Sequence, residues 1–145
     1  MRIILILSVF ILSSFSLQAR HKHKHHMKGL ASFYAKKFDG RKTASGEIFS
    51  NKKFTAASNC LAFDTYVKVT NEANGNIVYV RINDRMSADN KRLIDLSDCA
   101  AEKLDFKGKG TTRVKVQVVD EDEGKDAILG QNEERHHHSR RKEEL

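Results

Sequence analysis

Three acidic residues stand at positions where a carboxyl group could take part in proton transfer. Glu47 follows Gly46 in a turn-like stretch, and Asp84 ends a strongly apolar segment. Asp95 lies between two aliphatic residues and is expected to face away from them in a strand. A carboxyl group beside a reacting oxygen can donate or accept a proton. Each also has a structural alternative: Glu47 could be a solvated loop acid, Asp84 an ion-paired turn residue, and Asp95 a buried, hydrogen-bonded aspartate.

Two cysteines and seven histidines could support other kinds of chemistry. An even number of cysteines permits a disulfide in an oxidising compartment, so Cys60 and Cys99 are candidates to pair, with two free buried thiols as the alternative. The histidines are confined to residues 21–26 and 136–138. Clustered histidines bind divalent ions adventitiously, but nothing in these runs fixes a coordination geometry. We therefore expect no metal site.

Short segments with a period of two predict the strands that must position these residues. Alternation of apolar and polar residues marks a half-buried strand, and β-branched residues strengthen the assignment. The predicted strands are residues 30–34, 66–70, 77–82, 92–96 and 112–119. Many short strands with little helix predict a small, mostly-β barrel.

One turn and one helix are also predicted between these strands. Asn74-Gly75 separates two strands and is typical of a type I′ hairpin turn, in which both central residues have positive φ. Ser97 is expected to cap a helix over residues 98–104. Asp98 in the first turn would interact favourably with the helix dipole.

The two ends of the chain differ in composition from its centre. Arg2, an apolar run and small residues up to Ala19 predict a signal peptide over residues 1–19, with an uncleaved anchor as the alternative. Residues 20–27 form a His/Lys-rich segment, expected to be disordered. Residues 28–120 form the predicted domain, and the charged tail at 121–145 is expected to be disordered because it has little to bury.

The charge distribution favours an anionic partner outside the cytoplasm. The chain carries a formal charge of +7, and loss of Arg2 with the signal leaves +6. Residues 121–145 hold eight acids and five Lys/Arg, so residues 20–120 carry +9. Long-range attraction to a wall polymer fits an exported basic domain better than nucleic acid does. A role in solubility alone is the alternative.

Three segments in order and in register resemble the RlpA family of peptidoglycan lytic transglycosylases. The first segment is Gly29–Tyr34 with Phe38–Glu47, and the second is Thr55–Ser58 with Val67–Asn71. The third segment comprises Val80–Arg85, Arg92–Ser97 and the alanine pair that follows at 100–101. The match covers about 90 residues, essentially the whole predicted domain.

The resemblance implies a fold and an activity. The fold is a six-stranded double-psi β-barrel with one or two short helices and flexible charged termini. The activity is cleavage of the MurNAc–GlcNAc bond of peptidoglycan, preferably in strands stripped of peptides, with formation of a 1,6-anhydro ring. No cofactor is needed. We expect a secreted or periplasmic monomer that contacts glycan strands, is not lipidated and does not remain in a membrane.

The resemblance also assigns site residues. Glu47 and Asp84 take the positions of the active-site acids. The implied substrate-binding residues are Tyr34, Ser58, Asn83, Arg85 and Asp95. Arg85 could pair with a protein carboxylate or with the lactyl carboxylate of muramic acid.

One departure from the family pattern keeps a second function open. The family commonly has histidine where this chain has Ser58, and serine cannot titrate near neutrality. A non-catalytic glycan-binding or expansin-like wall-loosening module is therefore the alternative to an enzyme. The same resemblance places Cys60 and Cys99 where cysteine is not usual, so their pairing would be a local addition.

Overall fold

The computed structural model describes residues 26–144, and the predicted signal peptide lies outside them. Six strands and two α-helices account for most of this region. The strands are β1 His26–Phe33, β2 Thr55–Ala57, β3 Tyr66–Asn71, β4 Ile77–Asp84, β5 Ile94–Leu96 and β6 Thr112–Val119. The α-helices are α1 Asp98–Lys103 and α2 Glu121–Glu143, and short 3₁₀ turns span Lys36–Phe38 and Lys107–Lys109.

The strands close into a barrel in the order β1-β5-β2-β4-β3-β6. Two of the pairings, β1 with β5 and β2 with β4, are parallel, and the other four are antiparallel. Closure pairs both edges of the sheet, which removes most of the unpaired backbone that an open sheet would expose. The predicted mostly-β barrel is confirmed.

Alternation along the strands builds the core. In β3, Val67 and Val69 are fully buried, and in β6 the same is true of Val114 and Val116. These side chains point into the barrel because successive residues of a strand face opposite sides of the sheet. The residues between them are half-buried or exposed, which explains why the sequence pattern predicted both strands well.

Strand β1 begins earlier than the sequence indicated. It starts at His26 and pairs with β6 from His26–Gln117 to Ala31–Thr112. Residues 26 and 27, expected to belong to a disordered segment, are therefore paired at the start of the barrel. The remainder of that predicted segment lies outside the described residues.

The β3–β4 hairpin is confirmed, but its predicted turn type is wrong. Gly75 has a φ of +78°, whereas Asn74 does not have positive φ, so the turn is not type I′. The backbone N–H of Asn71 donates to the carbonyl of Asn76, and the N–H of Gly75 donates to the carbonyl of Asn71. The connection is thus longer than the two-residue loop that the Asn-Gly pair suggested.

Helix α1 begins after Ser97, as predicted, although the serine does not cap it through its side chain. The Ser97 hydroxyl lies 3.6 Å from Sγ of Cys99 instead. The helix packs Ala100 and Ala101, both fully buried, against the barrel. Burial of these small residues, rather than a cap, holds the short helix in place.

Residues 121–143 form helix α2, so the expectation of a disordered tail is wrong. Gly124 and Gln131 are buried where the helix crosses β3 and β4. Gly124 is required at the crossing, because a Cβ there would overlap the side chain of Tyr66. Acidic residues occupy the first turn and basic residues the last, which suits the helix dipole. Among residues 26–144, neither helix is long and apolar enough to span a bilayer.

Gln131 links α2 to the barrel by hydrogen bonds that resemble strand pairing. Its Oε1 accepts from the backbone N–H of Tyr79 at 2.7 Å, and its Nε2 donates to the Tyr79 carbonyl at 2.9 Å. Strand β2 pairs with β4 only from Arg81 onward. The side-chain amide therefore satisfies backbone groups of β4 that the short β2 does not reach.

The predicted Cys60–Cys99 disulfide is not formed. Both thiols are free, with Cys60 exposed and Cys99 buried. Cys60 lies beyond the carboxyl end of β2. Cys99 lies near the amino end of that strand, where it lines a cavity together with Phe54. The length of β2 separates the two thiols, and a disulfide requires Cα atoms within about 7 Å.

Candidate active site

Asp84 occupies the carboxyl end of β4, where three donors hold its side chain. The backbone N–H groups of Ala44 and Arg85 each donate to its Oδ1 at 2.8 Å. The Tyr34 hydroxyl donates to its Oδ2 at 2.6 Å. Strand β4, the loop that contains Ala44 and the end of β1 therefore converge on one half-buried carboxylate.

Tyr34 follows β1 and forms an aromatic wall beside Asp84. Its ring centroid lies 4.3 Å from that of Phe49 and 5.8 Å from that of Phe38, which meets it edge to face. Burial raises the pKa of Tyr34 well above its usual range, and the hydrogen bond to Asp84 raises it further. The phenol therefore stays protonated and is available as a donor.

Asp95 faces the same groove from β5. Its Oδ1 accepts from the Ser32 hydroxyl at 2.7 Å and from Arg92 Nε at 2.8 Å, and its Oδ2 accepts from Arg92 Nη2 at 3.0 Å. The prediction that this side chain faces away from Ile94 and Leu96 is confirmed, because both neighbours are fully buried in the core. Both of its oxygens are engaged by the protein.

A groove of about 720 Å³ joins these groups. One side is aromatic, and the rest is polar and mainly basic. Its lining includes Tyr34, Phe38, Phe49, Asp84, Asp95, Ser32, Lys37, Arg41, Lys42, Arg85, Met86, Ser87, Asn90 and Arg92. An elongated ligand with apolar faces and negative charge would suit this lining.

Glu47 lies outside the groove lining, in an ion-paired network on the barrel wall. Arg81 donates to both of its oxygens, at 2.8 and 2.9 Å, and Asn83 Nδ2 donates to Oε2 at 2.8 Å. The hydrogen bonds from Arg81 and then from Asn83 lower the pKa of Glu47. This carboxyl group is therefore ionised at neutral pH and is poorly suited to donate a proton in this arrangement.

The Glu47 ion pair fixes the turn whose backbone donates a hydrogen bond to Asp84. The Thr43 N–H donates to the Glu47 carbonyl at 2.7 Å, and Lys42 forms a bridge with Ile48, which closes the turn. Ala44 lies at the tip of this turn and donates its N–H to Asp84. Glu47 and Asp84 are thus coupled through the turn, although their carboxyl groups are not partners.

Ser58 is buried and does not line the groove. Its hydroxyl donates to the Leu93 carbonyl at 3.0 Å, and its N–H donates to the Asp84 carbonyl at 3.2 Å. In this structure Ser58 therefore does not reach the groove, and its substrate contact stays a prediction. The hydroxyl is short enough to remain inside the barrel wall, where it ties neighbouring segments together.

Asn83 is likewise buried and lies outside the groove lining. Its Nδ2 donates to Glu47, while its Oδ1 has no hydrogen-bond partner among the described residues. The side chain turns towards the Glu47 network, and the substrate contact by Asn83 also stays a prediction.

Arg85 lines the groove, with its guanidinium held by the protein. Its Nη1 donates to the Ser58 carbonyl at 2.8 Å, and the group stacks over the Phe63 ring at 4.0 Å from the centroid.

Of the predicted site residues, four come together in the groove lining: Tyr34, Asp84, Arg85 and Asp95. Sequence reasoning missed Arg41 and Lys42, whose signal was a basic cluster after Phe38.

Histidine and acidic side chains do not assemble a metal centre in the part of the chain that the structure describes. No three His, Cys, Asp or Glu residues gather there. The histidines at 136–138 are exposed on α2. The histidines before His26 lie outside the described residues.

Comparison with known proteins gives matches over the barrel. The sequence profile of the lytic transglycolase family matches residues 26–116. The endolytic peptidoglycan transglycosylase RlpA of Haemophilus influenzae is 43% identical over 107 residues, which cover 73% of this chain and 37% of that protein. The RlpA of Pseudomonas aeruginosa is 47% identical over 96 residues, covering 66% of this chain and 28% of that protein. The chain thus spans roughly a third of the length of these relatives.

Solved structures share the fold at low sequence identity. A Streptomyces papain inhibitor superposes with a TM-score of 0.55 at 20% identity, covering 66% of this chain and 96% of that one. A Clavibacter michiganensis expansin variant in complex with cellohexaose superposes with a TM-score of 0.53 at 19% identity, covering 66% of this chain and 51% of that one. Together, the profile match over residues 26–116 and the closed six-stranded topology show that the chain belongs to the lytic transglycolase family and has a double-psi β-barrel fold.

Proposed function

We propose that this barrel is an endolytic peptidoglycan transglycosylase that cleaves the MurNAc–GlcNAc bond and leaves 1,6-anhydro-MurNAc ends. The observation that carries the proposal is the position of Asp84, a carboxyl group held at the base of an aromatic and basic groove. The relatives named as transglycosylases support the reaction class.

Asp84 would transfer the proton in both directions. In its acid form it protonates the glycosidic oxygen as the bond to the muramic anomeric carbon breaks, with positive charge gathering on the ring. The resulting carboxylate then accepts the proton of the muramic 6-hydroxyl as that oxygen bonds to the anomeric carbon. Asp84 ends in the form in which it began, and no water is consumed.

The hydrogen bonds of Asp84 favour one oxygen for this role. Oδ1 accepts from two backbone N–H groups, which cannot reverse direction, so the proton belongs on Oδ2. When Asp84 is a carboxylate, the Tyr34 hydroxyl can donate to Oδ2, and when Asp84 is a carboxylic acid, the same hydroxyl can accept from Oδ2. Tyr34 can therefore remain bonded to Asp84 throughout the cycle.

Glu47, the second predicted acid, takes a different part in this scheme. Its lowered pKa keeps it negative, so it would contribute by holding the turn that presents the Ala44 N–H and by supplying negative charge near the site. Asp95, bonded to Ser32 and Arg92, would shape the groove floor and orient sugar hydroxyls. Glu47 and Asp95 would thus support the site, whereas Asp84 would transfer the proton.

The groove lining supports a glycan substrate. Tyr34 and Phe38 offer ring surfaces for sugar faces, which carry axial C–H groups. The expansin with the same fold was solved with a glucan, cellohexaose. We further propose that the enzyme acts as a secreted or periplasmic monomer on peptide-poor strands.

A glycan-binding or wall-loosening module is the second candidate, and one substitution favours it. Ser58 occupies the position where the family commonly has histidine, and its hydroxyl is committed to the Leu93 carbonyl. A barrel lacking a titratable side chain there could retain binding without turnover. The two candidates make opposite predictions about products.

The proposal can be tested with purified peptide-free glycan strands. The chain from Arg20 onward should release shorter strands that end in anhydro-muramic acid, whereas Asp84→Asn should release none. Asp95→Asn, which alters a groove residue outside the proton-transfer step, should retain measurable turnover. Strand binding by the unsubstituted protein without any product would favour the second candidate.

A further inference from the structure

The outer surface of β1, β6 and β3 carries a cluster of positive charge that lies apart from the groove. Alternate residues of these three neighbouring strands point into the core, so the residues between them face outward. Four of the outward-facing side chains are cationic, and we call them the basic face: Lys28, Lys68, Arg113 and Lys115. None of the four lines the groove. The basic face and the groove are therefore separate surfaces of the barrel.

The strand register places these like charges side by side. Lys28 stands directly opposite Lys115 in the β1–β6 pair. Lys68 stands opposite Gln117 in the β3–β6 pair, which makes it a diagonal neighbour of Lys115. Directly opposed Cβ atoms are about 4.5–5.5 Å apart and diagonal ones about 7–8 Å, and like charges directly opposite each other destabilise a sheet. An anionic ligand on this surface would relieve that repulsion.

One carboxylate offsets a small part of this charge. Lys28 Nζ lies 2.8 Å from Oε1 of Glu72, which follows β3. The hydrogen bond from Lys28, and after it the nearby charges of Arg113 and Lys115, lower the pKa of Glu72. Within residues 26–144, none of Lys68, Arg113 and Lys115 forms an ion pair with a carboxylate. The four cations together with Glu72 therefore carry a net charge of +3.

The spacing of the cations favours a ligand with several separate carboxylates. Lysine is a compact point charge on a flexible stem, whereas bidentate recognition of one anionic group is the property of arginine. Three of the four cations are lysines, and they come from three different strands. A flexible acidic peptide can place its carboxylates against such a set one at a time.

Intact peptidoglycan supplies a ligand of this kind, because its stem peptides each carry more than one carboxylate. We propose that the basic face is a second, non-catalytic binding site for these acidic stem peptides. It holds the chain on the peptide-bearing wall while the groove receives a glycan strand. The inference rests on the proposed function, since it places the chain in contact with peptidoglycan.

Binding at the basic face should be weak for each contact and sensitive to salt. Exposed ion pairs contribute little individually, so the affinity depends on several of them acting together. Salt screens such pairs, with a Debye length of about 8 Å at physiological ionic strength and about 3 Å at 1 M. Loss of three of the four charges should therefore weaken binding by about tenfold at low salt and have little effect near about 1 M salt.

Cosedimentation with insoluble peptidoglycan tests the inference. The parent is the chain with Asp84→Asn, which prevents turnover, and the face variant adds Lys68→Gln, Arg113→Gln and Lys115→Gln. Bound fractions are measured on peptide-bearing peptidoglycan and on the same material after enzymatic removal of its stem peptides. Because the face variant loses a like-charge pair, its urea midpoint should equal or exceed that of the parent, and this measurement checks that it is folded.

A control variant removes the same amount of charge from another basic cluster. It carries Arg140→Gln, Arg141→Gln and Lys142→Gln near the end of α2, and all three positions are exposed. The control variant should bind peptide-bearing peptidoglycan within about twofold of the parent, which separates an effect of the basic face from an effect of net charge.

The expected result is that the parent binds peptide-bearing peptidoglycan about tenfold more tightly than the face variant. The difference should fall to about twofold or less once the peptides are removed.

Equal binding by the parent and the face variant, with strands still cleaved by the unsubstituted chain, would overturn the inference alone. A difference that survives removal of the peptides, or an equal loss in the control variant, would also overturn it. Face-dependent binding to DNA as tight as that to peptidoglycan would assign the surface to nucleic acid and overturn it too. Absence of both binding and cleavage would remove the proposed function as well.

Discussion

The Tyr34 hydroxyl donates to Oδ2 of Asp84 at 2.6 Å, and this bond links two strands that are not neighbours in the barrel. Tyr34 follows β1 and Asp84 ends β4, while β5 and β2 lie between those strands. The bond therefore joins two parts of the groove lining that come from separate strands. It sets the position of the one carboxyl group to which we assign proton transfer.

Tyr34→Phe should slow turnover while leaving the fold intact. The phenyl ring keeps its packing on Phe38 and Phe49, but Asp84 loses its only partner on Oδ2 within the described residues. A lost hydrogen bond to a charged group predicts a fall in kcat of about 10- to 100-fold, with KM little changed. The measurement is the initial rate of release of anhydro-muramic ends.

Tyr66→Phe is the matched control for Tyr34→Phe, because Tyr66 lies outside the groove lining and packs under α2. It should leave the rate unchanged. A Tyr34→Phe enzyme as fast as the parent, with an unchanged circular dichroism spectrum, would contradict the proposed role of the phenol.

Glu47→Gln should alter the dependence of stability on pH. The pKa of Glu47 in the folded protein is lowered below its ordinary value of 4.5, chiefly by the hydrogen bond from Arg81. A group with a lowered folded pKa stabilises the protein above its unfolded pKa, and that stabilisation is lost as the pH falls through the folded value. The parent should therefore have a larger free energy of unfolding than the variant at about pH 6. The difference between the two should become smaller towards about pH 3.

Urea denaturation midpoints at the two pH values provide the measurement for Glu47→Gln. Glu102→Gln, at an exposed position on α1, should show no such narrowing. The Glu47 effect will be modest, because the side chain is 42% exposed and solvent screens the ion pair. A gap between parent and Glu47→Gln that is constant or widens towards acid pH would rule out the assigned ion pair.

Gln131→Ala should destabilise the protein by about 1 to 3 kcal/mol. The substitution removes both hydrogen bonds between the side-chain amide and the Tyr79 backbone beneath α2. Asn132→Ala, at the next position of the helix, should cost less than about 0.5 kcal/mol. Equal urea midpoints for the two variants would argue that α2 does not pack on β4 as described.

The two thiols should differ in reactivity. Cys60 is exposed, whereas Cys99 is buried, and burial raises the pKa of the Cys99 thiol, which disfavours the reactive thiolate. A thiol reagent should therefore label one cysteine in the native protein and both after unfolding without reductant. Failure to label either cysteine after unfolding would show that a disulfide forms after all.

Sequence patterns were sufficient for the barrel and insufficient for its C-terminal helix. Strand β6 was predicted with its observed bounds, because its buried valines alternate with polar residues. Helix α2 has few apolar residues, so its composition indicated disorder. Two of the contacts that hold it are ones that no periodicity reveals: a glycine at the crossing with Tyr66 and an amide paired with Tyr79.

The candidate site was predicted only in part, because the fold places some of its residues whereas side-chain contacts place the others. Asp84, Asp95, Tyr34 and Arg85 stand at strand ends or on strands that open onto the groove, so a correct fold places them together. The partners of Glu47 and Ser58 depend on rotamers and on loop paths. Neither the Arg81 ion pair nor the Leu93 carbonyl that accepts from Ser58 could be read from spacing.

The most direct test of the central claim is the fate of oxygen from solvent during cleavage of peptide-free strands. Digestion in ¹⁸O-labelled water, followed by mass spectrometry, separates the intramolecular reaction from hydrolysis. We predict new muramic ends that are one water lighter than reducing ends and carry no label, formed by the parent and absent with Asp84→Asn. Labelled reducing ends would contradict the proposed reaction, and unchanged strands that remain bound to the protein would contradict the assignment as an enzyme.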